Sequence, residues 1–284
     1  AILQAFKDAD LRKKIIFTIL MIIAYRIGAQ IPSPGVDYAS ISGRLRSLTE
    51  ESGNLYSVIN LFSGGALLQL SIFAIGIMPY ITASIIVQLL TVVIPHFEQL
   101  KKEGQSGQAK MTQYTRYLTL ALALLQSSGI VALADREQLL GQGVPVLAED
   151  RNFFTLIVLV ITMTAGAILV MWMGELITEK GIGNGMSLMI FAGIATRLPT
   201  DGVGIMQNNG GLVFAMVAAG LVVLVVGITF IEQGQRRIPV QYAKRMVGRR
   251  QYGGSSTYLP LKVNQAGVIP VIFASSLIYM PVLI

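Results

Sequence analysis

The length of its apolar runs constrains this chain more than any other feature. A bilayer's hydrocarbon core is about 30 Å thick and takes about 20 helical residues to cross, with about 17 to 25 tolerated. Ile15–Ile31, Leu70–Ile94, Tyr117–Ala134, Phe153–Met173 and Leu212–Ile231 meet that requirement. Met186–Leu198 and Ala266–Ile284 are weaker, the first because it is short and the second because it contains Pro270 and Pro281. Seven crossings are therefore expected. Composition agrees: 53% of residues are hydrophobic and only 13% charged, whereas about 25% are charged in soluble domains. The leading stretch AILQAFKDADLRKK is polar and amphipathic with no small-residue cleavage pattern, so the first span is expected to be retained. The absence of cysteine excludes disulfides, thiolate metal sites and cysteine nucleophiles.

Orientation follows from Lys and Arg in the short loops, because Asp and Glu contribute little to it. With the N-terminus inside, the inner segments hold clusters such as Arg12, Lys13 and Lys14, Lys101 and Lys102, and Arg236 and Arg237. The outer segments hold only Arg44, Arg46, Arg136, Arg151 and Arg197. This asymmetry predicts a multi-pass protein with a cytosolic N-terminus whose net charge of +7 is mostly a cytosolic feature.

The stretch FSGGALLQLSIFAIGIMPY, residues 62 to 80, is apolar yet carries Gly64, Gly65, Gly76 and Pro79. Irregular backbone is tolerated at membrane depth only when enclosed by protein or lining an aqueous cavity. Two readings stay open on the residues alone: an enclosed re-entrant segment, or a turn at the outer face before a proline-kinked helix. Ile77 and Ile81 are four apart and share a helical face, as do Met186 and Ile190, a spacing that core or lipid-facing residues also show. Gln88 and Asn264 are polar groups within spans, able to bond across a helix interface for about 0.6 kcal/mol each. Arg26 lies six residues before Pro32 and is expected to snorkel to the outer interface. The segment from Glu232 to Asn264 is rich in Lys and Arg. It suits anchoring to anionic lipid or docking on phosphates or an acidic protein surface. GIGNG has neither the preceding strand nor the lysine of a phosphate-binding loop. His96 lacks companions for a metal site, and Trp172 reads as an interfacial aromatic.

Six motifs occur in order: RIGAQIPSPG, LFSGGALLQLSIFAIGIMPYITASIIVQLL, KKEGQSGQAKMTQYTRY, GELITEKGIGNGMSL, EQGQRRIPVQYAKR and STYLPLKVNQAGVIPVIFASS. Together they resemble the SecY family, the pore subunits of bacterial protein translocases. The resemblance implies an all-α, polytopic transmembrane helix bundle with a re-entrant plug, truncated after about seven of ten helices. Residues 1–200 would form the first half, with a plug at about 60–70, and residues 201–284 the start of the second, with a cytosolic basic loop at 232–264.

The resemblance also implies roles. Ile77, Ile81, Met186, Ile190 and Ile272 fall at pore-ring positions, Met186 standing where isoleucine is more usual. Phe62, Ser63, Gly64, Gly65, Ala66 and Leu67 fall in the plug. Gln88 and Asn264 belong to a lateral gate, and Lys244, Arg245, Arg249 and Arg250 to a partner-binding loop. The implied partners are SecE-type and SecG-type membrane subunits, the SecA motor, the ribosome, preprotein signal sequences and anionic lipids. No cofactor and no enzymatic activity are implied. The expected function is passage of unfolded preproteins across the bacterial plasma (inner) membrane, with sideways release of transmembrane segments. The alternative is a secondary transporter with broken helices, against which the avoidance of the spans by Asp and Glu argues.

Overall fold

The computed structural model describes residues 8–36, 65–67, 69–136, 147, 152–240, 245–247, 250–252 and 257–264. Phe62, Ser63, Gly64, Lys244, Arg249, Ile272 and the run Ala266–Ile284 lie outside the described residues. Contacts divide the chain into two compact units, one holding the described residues through Asp201 and the other those from Gly202 onward.

Helix α1 spans Ala9–Gly28. It starts at Asp8, whose carboxylate accepts from the Asp10 N–H at 3.2 Å and so satisfies an otherwise orphaned donor of the first turn. Helix α2, Met78–Val93, opens with Pro79 in its first turn, where the missing N–H costs nothing. It ends because Pro95 disfavours helical backbone at Ile94, which is extended. Helix α3, Pro95–Lys102, then leaves at 100° to α2. It is amphipathic: Leu100 is buried, while Glu98 and Lys102 pair at 2.6 Å on the exposed side.

Helices α4, Gln105–Asp135, and α5, Phe153–Lys180, are the long members of the first unit. Helix α6, Gly185–Ala195, follows, and α7, Leu198–Asn209, runs across the division between the units. The second unit holds α8, Gly211–Gln233, and antiparallel strands. Strand β1, Gln235–Val240, pairs with β4, Thr257–Lys262, with Arg236 opposite Leu261. Strand β2, Arg245–Val247, pairs with β3, Arg250–Tyr252. The described part of the basic segment after α8 is thus a pair of β-ribbons.

Among the described residues, α4, α5 and α8 are long and apolar enough to cross a membrane, and the bent α2–α3 pair is a fourth candidate. At 1.5 Å per residue, the lengths of α4, α5 and α8 exceed a core of about 30 Å. Seven crossings were the expectation. Helix α1 falls outside this count because it carries Asp10, Arg12, Lys13, Lys14 and Arg26. Helix α6, with 11 residues, rises only about 17 Å. Helix α8 is apolar on every side and exposed along its length, as a span is.

Candidate functional site

The apolar run Leu70–Ile94, whose glycines and Pro79 left open a break, is not one helix: residues 72–77 form consecutive turns and the helix begins at Met78. Leu70 has φ +43° and Gly76 φ +60°, left-handed values that a right-handed helix cannot absorb. The backbone groups thereby freed find partners nearby. Ser33 N–H donates to the Leu70 carbonyl and Ile72 N–H to the Ile31 carbonyl, both at 3.0 Å, around a bridge between Pro32 and Ser71. Further turns close from Ser71 N–H to the Ala66 carbonyl at 3.1 Å and from Ala74 N–H to the Ser71 carbonyl at 2.9 Å. These bonds pair several of the segment's backbone groups within protein, the condition for irregular backbone at membrane depth, although the buried Ser33 Oγ, Gln69 Oε1 and Ser71 Oγ have no partner.

The segment is also enclosed. Ala66, Leu67, Leu70, Ser71 and Ala74 are essentially inaccessible. Leu67, Leu70, Ala74 and Ile75 pack with Ala123, Ile130 and Val131 of α4 and Leu159, Met163 and Ala167 of α5. Its opposite side meets α1, where Phe73 stacks on Tyr25 with centroids 5.9 Å apart. Two glycines admit it this closely. A Cβ on Gly28 would enter the Phe73 ring, and one on Gly166 would lie 2.8 Å from the Ile72 carbonyl carbon and closer still to its oxygen.

Four of the expected ring residues come together at the end of this segment. Ile77, at the head of α2, is buried with Tyr25, Phe73, Val170, Met173, Ile177 and Met189. Ile81, Met186 and Ile190 are half-buried and pack against the same cluster. One turn of α5 is the floor beneath them. A Cβ on Gly174 would lie 2.5 Å from the Met186 sulfur and 3.5 Å from Ile77 Cδ1. Thr178, four residues on, donates to the Gly174 carbonyl and accepts from the Gly185 N–H, each at 2.9 Å. Asn184 caps α6 by accepting from the Met186 and Ser187 N–H groups at 3.0 and 3.3 Å. The GIGNG turn therefore seats the helix that carries Met186 and Ile190. The sequence reading missed Gly28, Gly166, Gly174 and Thr178. Its one visible signal was glycine inside apolar helices, which costs about 1 kcal/mol relative to alanine and so calls for a packing reason.

The other expected sites are more dispersed. Gly65, Ala66 and Leu67 form a turn, with Gly65 at φ +93°. Gln88 is exposed on α2. Asn264, in the other unit, donates to Glu232 at 3.4 Å. Arg245 and Arg250 lie on β2 and β3, with Arg250 opposite Val247. His96 is exposed beside Phe97, and Trp172 is exposed on α5.

The family model for SecY matches residues 71–284. The chain belongs to the SecY family. Its whole length aligns with a protein translocase subunit SecY of Corynebacterium glutamicum at 85% identity, covering 64% of that protein. It aligns with the SecY of Mycobacterium tuberculosis at 64% identity, covering 65% of it. The chain thus spans just under two thirds of the length of those curated relatives. Among solved structures, one described as a protein-conducting channel superposes with a TM-score of 0.60 at 18% identity, over 94% of this chain and 56% of that one. Sec61 in a canine ribosome–channel complex gives 0.59 at 16% identity, with the same coverage. These likenesses establish the fold, and the apolar helices make the chain a membrane protein.

Proposed function

We propose that this chain forms the plug-bearing first half, and the start of the second half, of a protein-conducting channel that passes unfolded polypeptides across the bacterial plasma membrane. The observation that carries the reading is the convergence of Ile77, Ile81, Met186 and Ile190 on one apolar cluster at the end of an enclosed, non-helical segment. A collar of flexible aliphatic side chains dewets, which blocks ions. The same side chains adapt around an extended polypeptide, and the thioether of Met186 is well suited to that. Residues 65–67, with the preceding Phe62, Ser63 and Gly64, act as the plug, and Ile272 completes the collar from the later part of the chain. The channel is a conduit rather than an enzyme, so the work of translocation comes from a bound motor or ribosome.

In this reading the N-terminus is cytosolic, and Arg245 and Arg250 of the β2–β3 ribbon act with Lys244 and Arg249 as the docking site for SecA or ribosomal RNA phosphates. Gln88 and Asn264 stand on the two sides of a lateral gate that receives signal sequences, and SecE-type and SecG-type subunits complete the assembly within anionic lipid. The transporter alternative needs buried ion ligands. Buried polar residues among the described residues are Ser, Thr and Gln126, with no carboxylate.

The reading is tested by ion conductance through the full channel in planar bilayers. Ile77→Gly, Ile81→Gly and Ile190→Gly should each raise the leak in the absence of substrate; three variants as tight as the parent would refute the collar.

A further inference from the structure

The floor of the collar is tied to a helix that contributes no collar residue. Glu175 directly follows Gly174, and its carboxylate accepts two bonds from Arg116 of α4, from Nε at 3.1 Å and from Nη2 at 2.7 Å. Arg116 also donates to the Gln113 side chain at 3.2 Å. This geometry is bidentate and fixes orientation as well as distance. The Glu175 side chain is only 18% exposed, while that of Arg116 is 44% exposed, so the carboxylate is partly shielded and the guanidinium meets solvent. Arg116 and Glu175 line a cavity of about 390 Å³ together with Tyr80, Thr178, Asn184 and Met186. That cavity adjoins the collar through Met186 and Tyr80, both of which pack against the collar cluster.

We infer that the Arg116–Glu175 pair is a positioning clamp that sets how tightly the collar closes. The inference rests on the collar reading above. Both collar-bearing elements take their register from one turn of α5. Met186 fills the space that a Gly174 side chain would take and Ile77 Cδ1 borders it, and the first residue of α6 hangs from Thr178. Because Gly174 has no side chain to yield, a small rotation of that turn is passed directly to Ile77 and Met186. Arg116 opposes the rotation by anchoring the next residue to α4. Without the guanidinium, Glu175 is a partly buried carboxylate lacking its cation and turns toward water, carrying the Gly174 turn with it.

The test is substrate-free ion conductance of the full channel, with Ile81→Gly alongside as the collar control. Glu175→Gln should raise the leak by roughly twofold to thirtyfold, the range expected when a coupled residue shifts a two-state element. Arg116→Lys keeps the charge but loses the fork, so it should leak less than Glu175→Gln; it also serves if Glu175→Gln fails to assemble. Exchanging the two residues, R116E with E175R, should recover most of the seal. Ser127→Ala removes a different α4–α5 contact, the 2.9 Å bond between the Ser127 and Thr164 hydroxyls, and should stay tight. A leak from Ser127→Ala equal to that of Glu175→Gln would reduce the pair to a general helix tie and overturn the clamp. A tight Glu175→Gln beside a leaking Ile81→Gly would overturn the clamp and leave the collar standing. If both stay tight, collar and clamp fall together.

Discussion

Gly166→Ala is the sharpest probe of the enclosed segment. The added Cβ would sit 2.8 Å from the Ile72 carbonyl carbon, 3.2 Å from Ile72 Cγ2 and inside contact distance of the carbonyl oxygen. Two of those three atoms are backbone, so no rotamer change relieves the clash, and the segment or α5 must move by about 1 Å. Ile72 N–H is itself committed to the Ile31 carbonyl at 3.0 Å, so the movement also strains the bridge to the end of α1. Overpacking of this kind costs about 1–3 kcal/mol. Alanine returns up to about 1 kcal/mol of helix propensity, so the upper end of the overpacking cost, which a backbone clash calls for, leaves a net loss of about 2 kcal/mol. Gly220→Ala in α8 supplies the contrast, since nothing lies within 4 Å of its Cβ position and only the propensity gain remains. The assay is thermal unfolding of the purified protein in detergent, paired with ion conductance after reconstitution. Gly166→Ala should unfold roughly 3–6 °C lower than the parent and leak more, whereas Gly220→Ala should be equal or more stable and tight. A Gly166→Ala protein with unchanged stability and unchanged leak would refute the claim that residues 71–77 lie against α5 as a non-helical segment.

Thr178→Val keeps the side-chain shape but removes the oxygen that accepts the Gly185 N–H at 2.9 Å. Because Gly185 is buried, the orphaned donor should cost about 1–3 kcal/mol, read as faster amide exchange at the start of α6; unchanged exchange there would remove Thr178 from the floor of the collar. Reversing Arg249 and Arg250 to glutamate should weaken binding of SecA or ribosomes and steepen no salt dependence, while leaving detergent stability within error. Equal affinity of the reversed and parent proteins would leave those residues only a lipid-anchoring role.

The long apolar helices were legible because hydropathy and length alone demand them: α4, α5 and α8 contain the runs Tyr117–Ala134, Phe153–Met173 and Leu212–Ile231, although α4 already starts at Gln105 and α5 runs on to Lys180. Hydropathy is blind to conformation, however. Leu70–Ile94 is apolar whether it coils or turns, and only the left-handed backbone at Leu70 and Gly76 separates the turns from the helix. The glycines in that stretch raised the right question but could not answer it, since the answer lies in Gly28 and Gly166 on other helices. The β-ribbons were not anticipated, because the segment was read only for its charge; Pro239 and Pro260 sit on strands β1 and β4 of a two-stranded ribbon, where a missing donor is tolerated. The ring pairs were visible as spacing, while the Gly174 floor and the Arg116–Glu175 tie, 59 residues apart, leave no local pattern to find.

The most direct measurement of the central claim is site-specific photo-crosslinking to a polypeptide stalled during translocation through the full channel. Probes at Ile81 and Met186 should capture the stalled chain, and a probe at Leu120, exposed on the outside of α4, should not. Capture at Leu120 with none at Ile81 or Met186 would contradict a collar at this position.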